Sequence, residues 1–445
     1  MRILFDKCRI RVPTIITRYK RGMTRNIILN ICGIIFLCTI TYSLLWPQKG
    51  ITPFDQSIFQ LLGMIYYFIW LEIGIGLLYL IFNNDDINSC ILTVALIIFS
   101  LALYVNSIYI GDHELVVANI TLGLVSYVAS NWLTMYAWFY RKLFPFLLIG
   151  IFTFYGILSI GELAIRSDNG YRLQIIFNHP NHLGNLLAFA LVFCFAITTS
   201  TTHRNSRLLL YLLMLLLTIA LVNTLSRGAW LGGIISLTIS ILYLKRHISL
   251  KRICFNLVLL ALMIFVGFAT ISPGYMAKRF SIDSPDMQFS VGNRLLLWRV
   301  TVKVIRDHWL TGVGIGNYGQ YLRQYYNVSF ANHGSFRSAM NNYLNLAAEA
   351  GIPILLLYLF CLFYACNIAR KNITGEDQRV GINIGLLCGI YSMIIFSLTT
   401  YTLGRVYATV LVWSVFGYLA SCSDHLPDFR GLAQPSFLKI NYRVK

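Results

Sequence analysis

The sequence predicts an all-α, polytopic integral membrane protein with about twelve transmembrane helices. Hydrophobic residues make up 57% of its 445 residues. Charged residues make up only 12%, which is about half the charged fraction of an average soluble domain. Apolar runs of about 20 residues, long enough to span a bilayer as a helix, recur along the chain. The short alternating segments that are typical of a transmembrane β-barrel are absent.

Twelve apolar runs are the predicted spans, and basic residues set their orientation. The spans cover roughly 27–46, 58–82, 90–110, 116–139, 144–161, 181–199, 208–224, 229–244, 253–271, 350–368, 380–400 and 404–421. With the N-terminus inside, the inside loops and tails carry 23 Lys and Arg residues, and the short outside loops carry 5. This asymmetry follows the positive-inside rule. We therefore expect both termini to be cytoplasmic, and the basic first segment to precede a retained span rather than a cleaved signal peptide.

The predicted spans divide the chain into five segments. They are a basic cytoplasmic tail at 1–26, transmembrane helices 1–9 at 27–271, one large extracytoplasmic loop with amphipathic helices at 272–349, transmembrane helices 10–12 at 350–421, and a cytoplasmic tail at 422–445. The net charge of +19 is explained by the inside loops, and no nucleic-acid-binding motif accompanies it. The bilayer, and not nucleic acid, is the expected partner. The ten cysteines lie in spans or inside, which predicts free thiols and no structural disulfide.

The large loop contains an amphipathic pattern at 294–310. One helical face is basic and holds Arg299, Lys303 and Arg306. The opposite face is apolar and holds Leu297, Trp298, Val302 and Ile305. The pattern predicts a helix that lies on the membrane surface or roofs the bundle.

Two arginines are candidate anion-binding residues. Arg227, in "TLSRGAW", lies in a short outside turn, where the positive-inside rule least expects a basic residue. It is either a snorkelling residue at a helix end or a phosphate ligand, and the flanking Ser226 and Gly228 favour the phosphate ligand. Arg294 lies one turn before Trp298. Its position fits a surface ion pair as well as a second anion ligand.

The stretch "NHPNHLGN" at 178–185 is typical of a helix N-terminus. Pro180 fits the first turn and Asn181 fits the N-cap. His179 and His182 match no standard metal spacing, and no Cys or carboxylate is near in sequence. Capping and substrate hydrogen bonding are therefore favoured over a metal site. Glu72, deep in a predicted span, is either a proton-relay group or the partner of a polar neighbour.

Four stretches together resemble one family. "FNHPNHLGNLLAF", "TLSRGAWLG", "GNRLLLWRVTVKVIRDHWLTGVGIGNYGQY" and "NNYLNLAAEAGIP" occur in the order found in the O-antigen ligase and polymerase superfamily. The resemblance covers most of 176–368. It implies a GT-C-like membrane glycosyltransferase that moves a glycan from undecaprenyl diphosphate to lipid A-core or to another glycan. It also implies a bacterial cytoplasmic (inner) membrane location, an extracytoplasmic active site, and neither metal nor cofactor.

The resemblance assigns roles to several residues. The family's two key arginines fall on Arg227 and Arg294, which would hold the diphosphate. The family's usual histidine falls on Met340, directly before Asn341. A thioether cannot take a proton from a hydroxyl, so His333 and Glu349 become the candidate catalytic bases. The other predicted substrate-binding residues are His179, Asn181, His182, Trp298 and Asn341.

Two further functions fit the same sequence. Some superfamily members are labelled inorganic-carbon carriers, so an anion transporter is one alternative. A transporter requires polar residues at mid-membrane, whereas the polar residues here gather at the predicted outer surface. A member that binds the lipid-linked glycan without turnover is the second alternative, because Met340 replaces the histidine.

Overall fold

The computed structural model describes most of the chain as helix. It describes residues 31–38, 40–41, 74–80, 87–110, 114–165, 172–177, 179–280, 285–325, 338–373 and 378–421. Every regular element within these ranges is helical. Most of the residues in the first two predicted spans lie outside these ranges. Glu72 and His333 also lie outside them.

Fourteen helices are bounded in the described part of the chain. They are α1 (Ile87–Ile110), α2 (Glu114–Tyr136), α3 (Trp138–Ile165), α4 (Pro180–Ser200), α5 (Arg204–Asn223), α6 (Arg227–Leu244), α7 (Leu250–Ala269), α8 (Pro273–Phe280), α9 (Pro285–Asp307), α10 (Tyr318–Tyr325), α11 (Asn342–Ala350), α12 (Ile352–Lys371), α13 (Gln378–Phe396) and α14 (Val406–Ala420).

Eight of the described helices are long and apolar enough to cross a membrane. They are α1, α3, α4, α5, α6, α7, α12 and α13. Helix α14 is also apolar but spans only 15 residues. The structure therefore supports a polytopic membrane protein. The total of twelve spans stays a prediction.

One predicted connection differs from the structure. The sequence places an inside turn at 140–143, whereas these residues belong to α3, which begins at Trp138. Helices α2 and α3 are separated only at Ala137. The basic pair Arg141 and Lys142, which indicated a turn, instead lies in the first turns of a helix.

Helix α4 is the centre of the bundle. Each of its residues from Pro180 to Thr199 is buried, as expected of a helix that is apolar on all sides and surrounded by protein. Helices α3, α5, α6, α7 and α13 pack around it. The start of α4 is therefore held in the interior of the bundle, away from lipid.

Glycines bring α13 against α4. Gly381, Gly385 and Gly389 recur every four residues and so lie on one face of α13. A Cβ at Gly385 would lie 2.9 Å from the Phe193 carbonyl oxygen and 3.1 Å from the Ala196 Cβ. Small residues at this spacing allow two membrane helices to approach closely. We call this face the glycine seam.

The segment predicted as the large loop carries α8, α9, α10 and α11. The buried face of α9 differs from the predicted one. It holds Leu297, Val300, Thr301 and Val304, whereas Val302 is 54% exposed. The helix packs against α11, with the Trp298 Nε1 donating to the Ala339 carbonyl. Leu297, Trp298 and Ile305 of the predicted apolar face pack into the buried cluster, and Val302 is the member of that face that does not.

The glycine seam predicts a marked difference between two Gly→Leu variants. Gly385→Leu should lower the thermal denaturation temperature in detergent, because overpacking a tight interface costs roughly 1–3 kcal/mol. Gly150→Leu is the matched control, since nothing lies within 4 Å of a Cβ at Gly150 on α3. Both variants gain the same helix propensity. Equal melting temperatures for the two would contradict the close packing of α13 on α4.

Candidate functional site

Four helices begin at the same end of the bundle, which we call the loop end because the helices α8–α11 adjoin it. Short connections place the starts of α4, α6, α12 and α14 there. Two contacts link these starts. The His182 Nδ1 of α4 is 3.2 Å from the Tyr407 hydroxyl of α14. The Ile352 amide of α12 donates to the Trp309 carbonyl after α9. The opposite end, which we call the basic end, carries the connections at 201–203 and 245–249.

Arg172 joins the starts of α4 and α6. Its Nε donates to the Thr224 carbonyl at 3.0 Å, and its guanidinium donates to the Asn181 Oδ1 at 2.9 Å. A longer contact of 3.5 Å reaches the Leu225 carbonyl. These bonds satisfy carbonyls at the C-terminus of α5 that have no intrahelical partner. Sequence analysis missed Arg172, because it was counted only as a charge in a loop.

The cap of α4 corrects the sequence-based prediction. His179, not Asn181, is the N-cap residue, and its Nδ1 accepts from the Asn181 amide at 3.1 Å. Pro180 therefore occupies the first helical position, where its missing amide hydrogen is no loss. The Asn181 side chain is bonded to Arg172 instead.

The two histidines differ in their surroundings. His179 is exposed, whereas His182 is 9% exposed, and their ring centroids are 6.1 Å apart. Among the described residues, no three His, Cys, Asp or Glu side chains form a group that could hold a metal.

Arg227 is the first residue of α6 and is half-buried. It follows Leu225, whose φ of 49° lies in the left-handed region, and Ser226, the N-cap. A Cβ at Gly228 would collide with the Thr399 side chain, so α6 begins directly against the turn at 397–405. Positive potential at a helix N-terminus adds to that of the guanidinium. This position therefore attracts anions.

Arg405 lies at the other end of the same turn. It is the N-cap residue of α14, is half-buried, and donates its backbone amide to the Thr402 carbonyl at 3.0 Å. Its charge interacts with His182 and Tyr407. In the sequence, Arg405 stands at the start of the last predicted span. There it served only to set the orientation of the spans.

Asn342 holds the turn at 397–405. Its backbone amide donates to the Ser397 carbonyl, and its side-chain oxygen accepts from the Thr402 and Leu403 amides at 2.6 and 3.0 Å. Its side-chain nitrogen donates to the Thr402 hydroxyl at 2.9 Å. These bonds tie the start of α11 to a turn 60 residues away in sequence.

Asn341 is equally engaged within the protein. Its side-chain oxygen caps α11 by accepting from the Tyr343 and Leu344 amides, and its side-chain nitrogen donates to the Leu398 carbonyl at 3.0 Å. The residue before it, Met340, has a φ of 51°. These contacts give Asn341 a positioning role at the start of α11, and its contact with substrate stays a prediction.

Arg294 and Trp298 belong to α9, which borders this region. The Trp298 Nε1 donates to the Ala339 carbonyl at 3.1 Å, directly before Met340 and Asn341. Arg294 is half-buried one turn earlier on the helix. The structure therefore connects Arg294 to the loop end through the packing of α9 on α11.

Glu349 is buried beneath the glycine-rich turn at 312–317. Its carboxyl accepts from the Gly316 and Tyr318 backbone amides and from the Asn345 side chain. Burial outweighs these donors and raises the pKa of Glu349 to about 8. At neutral pH the group is thus mostly protonated and faces the turn that it braces. His333, the other predicted base, lies outside the described residues.

Comparison with known proteins identifies one family. A family model described as O-antigen ligase matches residues 212–359, from within α5 to within α12. No curated protein matches the chain. The match confirms the resemblance drawn from the sequence. The matched segment contains Arg227, Arg294, Trp298, Asn341 and Glu349.

The Glu349 environment predicts a pH-dependent stability. A carboxyl with a raised folded pKa binds its proton more tightly in the folded state, so its contribution falls as the pH rises from about 4.5 to about 8. Glu349→Gln removes this titration. Thermal denaturation of both proteins in detergent measures the effect. The free energy of unfolding of the variant, relative to that of the wild type, should rise by a few kcal/mol between pH 5 and pH 8. Parallel pH profiles would contradict the assignment.

Proposed function

We propose that this chain, which carries an O-antigen ligase domain at residues 212–359, transfers a glycan from undecaprenyl diphosphate to an acceptor. The acceptor is lipid A-core in a ligase or a second lipid-linked glycan in a polymerase. The match over 212–359 and the apolar helices support an O-antigen ligase/polymerase-type membrane enzyme. The donor, the acceptor and the GT-C-like class are the parts that we propose.

The distribution of charge at the loop end carries the proposal. Arg172, Arg227, Arg294 and Arg405 are all half-buried there. The acidic side chains described at this end are Glu162, Asp307 and Glu349. Glu162 accepts from the Ile175 amide, Asp307 is exposed, and Glu349 is mostly protonated at neutral pH. The described loop end is therefore positive and suits a diphosphate.

Arg227 is the residue that we assign to the leaving group. The acceptor hydroxyl attacks the anomeric carbon and releases its proton to solvent, the bond from that carbon to the phosphate oxygen breaks, and undecaprenyl diphosphate leaves with inversion at the carbon. Negative charge grows on the departing diphosphate, and preorganised cations stabilise it. Arg294 is the second proposed diphosphate ligand.

Met340 in place of the family histidine fits a mechanism that depends mainly on the leaving group. A general base contributes about 10²–10⁴-fold to a rate, which a good leaving group makes less necessary. Met340 has no basic atom, and the buried Glu349 is bonded to the glycine-rich turn. We therefore infer that electrostatic stabilisation of the leaving group is the main catalytic contribution. His333 stays a predicted base.

The charge of the opposite end supports an extracytoplasmic site. Arg204, Arg207, Lys245 and Arg246 lie at the basic end, where the described side chains include no carboxylate. By the positive-inside rule, the basic end faces the cytoplasm. The loop end then faces outwards, in the bacterial inner membrane, with both termini cytoplasmic.

The anion-transporter alternative gains no support from the described spans. Their charged side chains lie near the helix ends, as in Arg204 and Arg207 of α5 or Arg370 and Lys371 of α12. A transport path needs its polar and charged groups at mid-membrane. The described residues place their charged groups at the two ends of the spans instead.

The proposal predicts the effect of three arginine variants. Arg227→Ala should reduce glycan transfer by about 10²-fold or more, because one donor that stabilises developing charge contributes 10²–10³-fold. Arg227→Lys should recover part of the activity, since an ammonium keeps the charge but loses bidentate geometry. Arg299→Ala is the control, because Arg299 is exposed on α9. Transfer from lipid-linked glycan by purified protein in liposomes is the assay.

Protein levels and melting temperatures of the variants accompany the assay. Full transfer by a folded Arg227→Ala protein would refute the assigned role. Uptake of a labelled anion by the same liposomes, with no glycan transfer, would favour the transporter.

A further inference from the structure

Arg405 is a half-buried cation, and no salt bridge joins it to an acid among the described residues. No described side chain forms a salt bridge or hydrogen bond with its guanidinium. Its charge instead interacts with His182, Tyr401 and Tyr407. Neither phenol ionises here, because burial raises the pKa of Tyr401 well above its usual value and Tyr407 is fully surrounded by protein.

Glu349, a described acid close to this turn, does not supply a countercharge. Glu349 and Arg405 both interact electrostatically with Tyr401. Its carboxyl is mostly protonated at neutral pH, because burial raises its pKa to about 8. The N-terminus of α14, where Arg405 lies, adds positive rather than negative potential. The charges on every side of Arg405 therefore favour an incoming anion.

Two buried polar side chains, one near the start of α4 and one at the start of α6, have no hydrogen bond of good geometry among the described residues. The Asn185 amide is completely buried beside the Tyr407 hydroxyl, and neither its nitrogen nor its oxygen has a partner of good geometry among the described residues. The Ser226 hydroxyl is 2% exposed at the start of α6 and has no described partner either. Native proteins leave few buried polar groups unpaired, and those that are unpaired call for an explanation such as a ligand.

Arg405 and Arg227 flank one turn. Gly228, next to Arg227, packs against Thr399, and Arg405 closes the same turn through its bond to Thr402. Asn342 holds this turn in place, because its side-chain oxygen accepts from the Thr402 amide. The backbone positions of the two arginines therefore adjoin the same turn.

We propose that Arg405 is a third anion-binding residue and contacts a phosphoryl oxygen of the lipid diphosphate that Arg227 also holds. The inference rests on the proposed function for the identity of the ligand. Arg405 then acts on the donor and not on the acceptor. It is a binding residue, since its guanidinium touches the substrate.

Binding measurements on variants test this role. The probe is undecaprenyl diphosphate, titrated into protein in nanodiscs and followed by native mass spectrometry. Arg405→Gln should weaken binding roughly tenfold to a hundredfold, the range for a charge-assisted hydrogen bond. Arg405→Lys should give an intermediate affinity. Arg306→Gln, which removes an exposed cation from α9, should change affinity less than about twofold.

Stability without lipid separates binding from a structural role. Because no described acid pairs with Arg405, Arg405→Gln should melt at the same temperature as the wild type or higher. A lower melting temperature in the lipid-free Gln variant would assign Arg405 to folding and overturn the proposal. Unchanged affinity in a folded Arg405→Gln or Arg405→Lys protein would overturn it as well.

The outcomes also separate this inference from the proposed function. Lipid binding that depends on Arg405, in a protein without glycan transfer, would support the anion site and refute the transferase. Transfer that requires Arg227 but not Arg405 would support the transferase and refute the third ligand. Absence of lipid binding by the wild type would refute both.

Discussion

The guanidinium of Arg172 is the contact on which the loop end depends. It binds the last carbonyls of α5 and the Asn181 side chain of α4 at once. The carbonyls at a helix end need external partners, and the adjacent Leu225 has a left-handed φ. Such a conformation costs about 1–3 kcal/mol and persists only where its surroundings enforce it. The hydrogen bonds of Arg172 to the Thr224 and Leu225 carbonyls help to hold this conformation. They therefore help to fix the point at which Arg227 begins α6.

The amides of the stretch from 338 to 353 have a structural purpose at this end. Asn341 and Asn342 form hydrogen bonds with the turn at 397–405. The side-chain oxygen of Asn345 accepts from the Ala339 amide. Glu349 braces the glycine-rich turn. These polar groups are expensive to bury, and each has hydrogen-bond partners within the protein.

Much of the architecture was predictable from the sequence because it follows from local composition. Long apolar runs identified the helices that cross the membrane, and a basic residue in a short turn identified Arg227 as a position of interest. The family match over 212–359 confirmed the motif-based resemblance. Such signals need no knowledge of tertiary contacts.

The remaining features depend on contacts between distant residues. Arg172 and Arg405 look like ordinary loop charges until the ends of α4, α5 and α14 are brought together. Asn181 was predicted to cap α4, but His179 takes that position because Pro180 shifts the helix start. The apolar face predicted for α9 includes the exposed Val302 and omits the buried Val300 and Val304, which contacts with the rest of the protein decide.

The central claim is that the loop end binds a lipid diphosphate through Arg227. Cryo-electron microscopy of the protein in nanodiscs with undecaprenyl diphosphate tests it most directly. The account predicts density for the diphosphate at the start of α6, with phosphate oxygens about 2.7–2.9 Å from the Arg227 guanidinium. Diphosphate density at the basic end, or at the loop end but out of reach of Arg227, would contradict it.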